Sequence, residues 1–452
     1  DQDSTLTNIP PTSNMMDMPQ ALIDTGIQDI ASGNTYGMGV DENGKLYIWG
    51  YTKITDKIDI KDIPDEVKAA KLEMIAAGAD HAVALADDGQ VYVWGNTRLK
   101  QDKFSSDMTK AMKAGGDAWK VVQLEAGNQF SAIVTEDGML YLWGNGNMAD
   151  IKVRSKYQGN IAKVALTDNE YICLLKDGTV AYTGYKDKNS PFAKIPTALE
   201  GKQVVDIAST GKSVAAVTED GRVYVWGNAT RGEANVPEMA AKPVHIYGGR
   251  FHYTALLENG DLVSWGNNKY HQIDVPAAAQ KADNIEAIYV SNYQNYAIGS
   301  DGKLYTWGLK GFLLGTDSLG RDMLTRIVNG GKVTMTVGAI SVIIATILGV
   351  ITGGLAGYFG GQVDIIMMRI SEIVGGLPFI PFAMILSAVI GSRLDPTQRM
   401  YLIMVVLGVL SWVPTCRLVR AQILAQREME YVTAAKAMGI KEGKIVFRHI
   451  LP

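Results

Sequence analysis

Cysteine is nearly absent from this chain. Two residues in 452, Cys173 and Cys416, cannot form a disulfide framework. Histidine is almost as scarce, with five scattered copies at no metal-ligand spacing, so no metal site is assigned. No Gly-x-x-x-x-Gly-Lys-Ser/Thr loop is present to cradle phosphates. With no nucleophile–base constellation either, the chain is not read as an enzyme, and no catalytic residue or cofactor is named. A basic stripe interleaved with aromatics is also missing, which excludes nucleic acid as a partner. The overall balance of 43 Lys+Arg against 47 Asp+Glu hides a division. Residues before Val333 carry 33 basic against 41 acidic side chains, and the remainder carries 10 against 6, with most of the excess after Cys416. This length implies at least two domains. The chain opens at Asp1 without a signal-peptide pattern and stops at Pro452 just after a basic stretch, and it reads as a fragment of a longer gene product.

A unit recurs seven times before residue 310: NGKLYIWG (43–50), DGQVYVWG (88–95), DGMLYLWG (137–144), DGTVAYTG (177–184), DGRVYVWG (220–227), NGDLVSWG (259–266) and DGKLYTWG (301–308). Each copy follows a small-residue step and an alternating apolar strand, such as AAGADHAVAL or ASTGKSVAAV. Asn-Gly and Asp-Gly predict type I′ hairpin turns with positive φ at both central positions. Short strands at a period of 40–50 residues signal a β-propeller, because one hairpin cannot bury its apolar face alone. The expected fold class is multidomain: an all-β seven-bladed propeller followed by an all-α transmembrane domain. The fourth copy has Tyr182-Thr183-Gly184 where the others have Trp-Gly, and it is read as a degenerate blade. Trp49, Trp94, Trp143, Trp226, Trp265 and Trp307 recur in every other blade, as inter-blade packing requires. Binding specificity is assigned to irregular connections such as 97–118 and 145–160.

These copies resemble the repeat of the regulator of chromosome condensation family in its compact bacterial form, best at WGNATRGEANVP (226–237) and WGNNKYHQIDVP (265–276). The resemblance covers residues 22–308. The eukaryotic founder's role as a nucleotide-exchange factor on chromatin does not carry over to a chain with no basic surface and a membrane domain attached.

Three uncharged runs follow: between Lys332 and Asp364, between Glu372 and Arg393, and between Arg399 and Arg417. About 20 apolar residues cross a bilayer, so three spans are expected, at about 333–359, 373–392 and 400–417. The Gly-rich stretch GVITGGLAGYFGG offers a small-residue helix-packing face. Three spans place the repeats and the segment after Cys416 on opposite sides. That segment carries Arg417, Arg420, Arg427, Lys436, Lys441, Lys444 and Arg448 against three acids, which puts it in the cytoplasm and the acidic repeats outside.

Residues 313–331, LLGTDSLGRDMLTRIVNGG, resemble the segment before the second helix of oligopeptide/dipeptide-type ABC transporter permeases, C-type subunit. Residues 430–452, EYVTAAKAMGIKEGKIVFRHILP, resemble the cytoplasmic coupling loop of ABC importer permeases. The resemblance implies an ATPase-coupling role for Glu430, Ala434, Ala435, Gly439, Ile450, Leu451 and Pro452. It makes Gly315, Thr316, Asp317, Gly320, Arg321 and Asp322 a family signature before the second helix. Small side chains at Ala434, Ala435 and Ala437 let a helix seat in a partner's groove. Gly439 is suited to a left-handed helix end, with a second helix from about Lys441. Thr316 or Asp317 is expected to cap a helix at the outer membrane surface, with Arg321 and Arg326 toward headgroups. Ile9-Pro10-Pro11-Thr12 resembles the Pro-Pro-Ser that precedes LGTD in these permeases, so the propeller reads as an insertion into the first extracellular loop. The domains are then 1–21, a permease loop remnant; 22–308, the propeller; and 309–452, a truncated permease domain with its coupling loop at 430–452.

The function implied is a multi-pass permease subunit of an importer for peptides or related small solutes in a bacterial plasma membrane. Its implied partners are a second permease subunit, two cytoplasmic ATPase subunits, an extracellular solute-binding protein and the lipid bilayer. The competing reading is a surface adhesion or sensor protein on a permease-like anchor. No residue identifies the transported solute or the propeller's ligand.

Overall fold

The computed structural model describes residues 6–184, 189–280, 285–391 and 394–450. The chain forms two compact units that meet in sequence at Leu324 and Thr325.

In the first unit the described residues form seven three-stranded antiparallel sheets and one small two-stranded sheet. Each three-stranded sheet comes from one repeat: Ile27–Ser32, Tyr36–Asp41 and Leu46–Gly50 in the first, and Ile285–Ser291, Gln294–Gly299 and Leu304–Gly308 in the last. The first strand of each sheet lies against the first strand of the next, and the seventh lies against the first. Every sheet has a register shift at the start of its first strand, which skips Gln28 in the first and Glu286 in the last. Such bulges raise the local twist, as sheets fanning around a centre require. The fourth sheet is the weak one. Its third strand is only Val180–Ala181, where a Trp-Gly pair is missing.

The turns differ from the expected type I′. In all seven the glycine alone takes positive φ, from +72° at Gly302 to +90° at Gly138, and the preceding Asp or Asn does not. Gly44 N–H donates to the Asp41 carbonyl at 2.8 Å while Asp41 N–H donates to the Lys45 carbonyl at 3.1 Å, and the other six copies repeat this pattern. This is a type I turn closed by a left-handed glycine. The reason lies in the acidic side chain. The carboxylate of Asp88 accepts from Gln90 N–H, that of Asp177 from Thr179 N–H and that of Asp301 from Lys303 N–H. The residue serves as an acceptor, and the left-handed position is left to glycine.

The six tryptophans are buried. The indoles of Trp49, Trp94, Trp226 and Trp265 donate to the carbonyls of Met15, Ile60, Phe192 and Glu233, each 32–34 residues earlier in the connection that enters the sheet. The glycine after each Trp has positive φ. At Gly308 a Cβ would lie 2.1 Å from the Tyr293 carbonyl oxygen, so no other residue fits there.

Side chains tie neighbouring first strands together. Gln123 accepts from Val164 N–H and donates to the Val164 carbonyl, both at 2.8 Å. Asp206 accepts from Ile246 N–H at 3.0 Å and pairs with Lys163 at 2.6 Å. Asp29 accepts from Ile75 N–H at 2.8 Å. Across the closure, Tyr289 OH donates to the Gln28 carbonyl and Asn292 to the Ser32 carbonyl. Within the ring, Asp29, Met74, Gln123, Glu125, Tyr247 and Tyr289 line a cavity of about 450 Å³.

The second unit is helical. Its elements are α1 (Met323–Phe359, beginning at the end of the first unit), α2 (Gly361–Gly376), α3 (Phe379–Gly391), α4 (Pro396–Leu410), α5 (Val413–Gln426), α6 (Glu430–Ala437) and α7 (Glu442–Ile445). Among the described residues two helical stretches are long and apolar enough to cross a membrane: Met323–Phe359 and Thr397–Gln426, the latter combining α4 and α5. The run expected as one span at 373–392 is divided. α2 ends at Gly376, Leu377 is extended, and Pro378 precedes α3, because the residue before proline is driven out of the helical region. Ser392 lies outside the described residues. The small face of α1 meets α5 backbone to backbone. A Cβ on Gly353 would stand 2.5 Å from the Cys416 carbonyl oxygen, and one on Gly357 would stand 2.9 Å from that of Arg420. Ser341 adds a hydrogen bond to the Met404 carbonyl at 3.0 Å. Close approach of this kind is how helices associate in lipid, where burial of apolar side chains gives no driving force.

Burial pushes the Asp29 carboxyl up to about 7, reinforced by the Glu125 carboxylate and opposed by N–H donation from Ile75 and Ile30. An acid whose pKa is higher folded than unfolded binds more protons in the native state, so its contribution to stability falls as pH rises from about 4 to about 7. The slope is at most about 1.4 kcal/mol per pH unit. Asp29→Asn removes this slope and shifts stability by a pH-independent offset for the lost acceptor. Thermal unfolding of the full chain, followed by tryptophan fluorescence, should give a parent stability that falls relative to the variant between about pH 4 and 7 and runs parallel to it above that range. Curves that stay parallel below that range as well would refute the assignment.

Candidate functional site

Two places in the chain gather the residues singled out by sequence. The first is the helical hairpin at 430–450. α6 ends in a Schellman motif: Gly439 at φ +76° donates to the Lys436 carbonyl at 2.9 Å, and Ile440 N–H donates to the Ala435 carbonyl at 3.2 Å. The chain then reverses into α7, whose preceding residue is Lys441. One face of the hairpin is seated on its own chain. Val432 and Ala435 pack with Tyr358 of α1, Ile423 of α5, Ile445 and Val446, and Ile440 and Ile450 lie alongside. Lys436 places its ammonium 5.1 Å from the centre of the Tyr358 ring.

The other face is open. Glu430, Ala434, Ala437 and Gly439 are exposed, as is Met438 at 72%, and a Cβ on Gly439 would meet nothing within 4 Å. The expected trio of small residues therefore divides, with Ala435 used internally while Ala434 and Ala437 face outward. Leu451 and Pro452 lie outside the described residues. Sequence reasoning missed the support beneath the hairpin. Arg420 of α5 grips Asp364 of α2 with two hydrogen bonds of 2.5 Å. The signal in the sequence was an acid just after an uncharged run, and a row of arginines at 417, 420 and 427, three and then seven residues apart.

The second place is the signature at 315–322. Thr316 does not cap a helix. Its N–H donates to the Ile9 carbonyl at 2.9 Å, its hydroxyl accepts from Ile9 N–H at 2.8 Å, and the hydroxyl proton goes to the Leu6 carbonyl at 2.7 Å. Asn8 N–H donates to the Asp317 carbonyl at 3.1 Å. Gly315, at φ +69°, lets this approach happen, since a Cβ there would lie 2.4 Å from the Ile9 carbonyl oxygen. Nor does Asp317 cap a helix. It organises the following turn, accepting from Leu319 N–H, Arg321 N–H and the Arg321 guanidinium at 2.8 Å. The Arg321 guanidinium and these N–H groups hold its carboxyl well below the usual range. Gly320 closes the same turn with an N–H to the Asp317 carbonyl at 3.0 Å. The helix cap is Asp322, which bridges back to Thr316 and accepts from Leu324 N–H at 3.0 Å at the start of α1. Two acceptable acids stood five residues apart, and only the fold shows that the later one meets the helix start. Arg321 is committed to Asp317.

On the repeat unit, the connections 97–118 and 145–160 come together. Ser105 and Asp107 from one face Ile151, Lys152, Val153 and Ser155 from the other across a groove of about 670 Å³ floored by Leu140–Leu142. Among the described residues no group of His, Cys, Asp or Glu is placed to hold a metal.

Both parts resemble known proteins. Residues 345–452 match the family of binding-protein-dependent transport system inner membrane components. Residues 75–101, 204–233 and 244–272 match the regulator of chromosome condensation repeat. The dipeptide transport system permease protein DppC of Bacillus subtilis is 41% identical over 138 residues, 30% of this chain and 41% of that protein. The oligopeptide transport system permease protein OppC of Escherichia coli is 39% identical over 142 residues, 31% of this chain and 45% of that one. The chain thus spans less than half the length of these relatives. Among solved structures, the CRINKLY WD40 ectodomain of the Arabidopsis thaliana receptor kinase ACR4 covers 63% of this chain and 95% of its own, at 17% identity and a TM-score of 0.45. A β-rich unit with regulator-of-chromosome-condensation repeats is therefore joined to a helical domain related to peptide ABC permeases.

Replacing the Thr316 hydroxyl opens the pairing of residues 6–9 with 315–317. Losing two hydrogen bonds of about 1 kcal/mol each speeds local opening roughly tenfold or more. Hydrogen exchange at Asn8 and Ile9 should accelerate by that factor in Thr316→Val and stay near the parent rate in Thr316→Ser. Unchanged protection in the valine variant would show that the hydroxyl does not hold the segment.

Proposed function

We propose that this chain is the permease subunit of an ATP-binding-cassette importer for peptides or related small solutes, carrying a seven-bladed propeller on the outer side of the membrane. The observation that carries this reading is the α6–α7 hairpin. It combines a Schellman end at Gly439, one face bedded on α1 and α5, and an opposite face left open around Glu430, Ala434, Ala437 and Met438. A plug of this shape suits insertion into a groove of a separate ATPase. The partners are then a second permease, two cytoplasmic ATPases that supply the hydrolysis, and an extracellular solute-binding protein. In this scheme ATP-driven closure moves the hairpin, and the helices alternate between inward-open and outward-open states.

The membrane is crossed three times in this reading. Residues 333–359 of α1 make the first passage, the run 373–392 at the end of α2 and through α3 makes the second, and residues 400–417 of α4 and the start of α5 make the third. The 20 residues of 373–392 at 1.5 Å per residue reach about 30 Å, the thickness of the hydrocarbon core. A broken passage of this kind is tolerated where neighbouring helices or water satisfy the freed backbone groups. Three passages set the repeats and the basic segment after Cys416 on opposite faces, with the basic one inside. Residues 6–9 held against 315–317 support the domain boundaries: a permease loop at 1–21 that resumes at 309, with the propeller of 22–308 inserted between. The groove between connections 97–118 and 145–160 is the favoured docking face for the solute-binding protein. The structural tryptophans serve the ring itself.

A β-branched residue at φ +76° costs about 1–2 kcal/mol, and it would displace the reversal between α6 and α7. Gly439→Val should insert and assemble normally yet lose about tenfold or more of its solute uptake and of its stimulated ATPase activity in reconstituted complexes. Uptake at the parent rate would remove the coupling assignment. Sidedness has its own check. With single cysteines introduced at Lys100 and Lys441, an impermeant maleimide applied to intact cells should label the first and spare the second. Labelling of both would overturn the three-passage topology.

A further inference from the structure

Beneath the hairpin, α5 presents a row of three residues on one face: Arg420, Ile423 and Arg427. Ile423 is buried in the cluster that seats α6 and α7. The two arginines flank it and reach residues at the corner between α1 and α2. Arg420 takes both carboxylate oxygens of Asp364, Nε to Oδ1 and Nη2 to Oδ2, and Arg427 donates to the Gly357 carbonyl at 3.4 Å. That corner is sharp: Gly360 and Gly361 both have positive φ, +63° and +51°, so the chain turns within two residues from the end of α1 into α2. Tyr358, at the same corner, lies in the cluster with Ile423 and receives the Lys436 ammonium over its ring.

We propose that the Asp364–Arg420 pair is the joint that locks the α1–α2 corner to α5, so that displacement of the α6–α7 hairpin moves α1, α2 and α5 together. The inference rests on the importer reading above and extends it to residues outside the hairpin. The physical reason is geometric. A bidentate guanidinium–carboxylate pair fixes orientation as well as distance, whereas apolar contacts such as those of Ile423 allow sliding. α5 already touches α1 at the backbone through Gly353 and Gly357, while α2 meets α5 through apolar contacts of Met368 and Val374, which leave its orientation to the polar pair. Asp364 lies in the first turn of α2, where a rigid hold steers the whole helix. Both groups are positioning residues, since neither lies on the open face offered to a partner.

The test uses the assembled complex of this chain with its second permease, ATPases and binding protein in liposomes, and it reads ATP hydrolysed per solute transported. In Asp364→Asn and Arg420→Gln that ratio should rise about fivefold or more while ATP hydrolysis persists. The double variant should be no worse than either single one, because each side chain acts through the other. Asp364→Glu, which keeps the charge, should restore most of the coupling. If the neutral variants fail to assemble, Arg420→Lys decides the matter, since it keeps the charge and loses the two-pronged geometry. A raised ratio in the lysine variant supports the joint, and a parental ratio overturns it. A parental ratio in an assembled Asp364→Asn complex, or single-variant effects that add in the double, would likewise overturn it. Absence of ATP-dependent uptake by the parent complex is a separate outcome, which would defeat the importer reading itself.

Discussion

A ring of sheets must bring its first and last strands side by side, and the rest of the first unit depends on holding them there. No covalent link does so. The seam is closed by Tyr289 and Asn292, which donate to carbonyls of the first strand, and by the Thr316 hydroxyl, which clasps Leu6 and Ile9. Each sheet alone has an apolar face and an unpaired edge. Only closure gives every first strand a neighbour on both sides. Polar side chains then satisfy backbone groups across the gaps, as Gln123 does for both groups of Val164.

The same clasp starts the second unit's first helix. Thr316 bridges to Asp322, and Asp322 caps α1, so the residues that hold the ring's two ends also set where the helix begins. In the helical unit the organising constraint is different. α1 and α5 approach closely enough that a methyl group at Gly353 would collide with backbone, and position there depends on the absence of side chains. Arg420 with Asp364, Arg427 with the Gly357 carbonyl and Lys436 over Tyr358 lie where α1, α2, α5 and α6 meet.

Much of this was legible in the sequence. The repeats read as short strands because Asp-Gly or Asn-Gly and Trp-Gly punctuate alternating apolar runs, and the second unit read as helical from its uncharged runs. The hairpin at 430–450 was legible because glycine in a left-handed helix end leaves a local mark. The turn type was not, since Asp-Gly serves two turns equally well in isolation. The Asp side chain's bond to the N–H two residues on selects one. The continuity of the middle apolar run was misjudged because hydropathy averages over Pro378, whose effect is on backbone angles rather than on polarity.

What the sequence determined by itself was everything that depends on near neighbours along the chain: strand period, glycine turns, apolar stretches, and the reversal at Gly439. What only the tertiary structure decided was which distant groups meet. That Thr316 serves Ile9 across 307 residues, that Asp322 rather than Asp317 caps the helix, that Ala435 turns inward while Ala434 stays open, and that Arg420 finds Asp364 across 56 residues are all matters of packing. A side chain's partner is set by the path of the backbone between the two, and no local pattern of residue types carries that path.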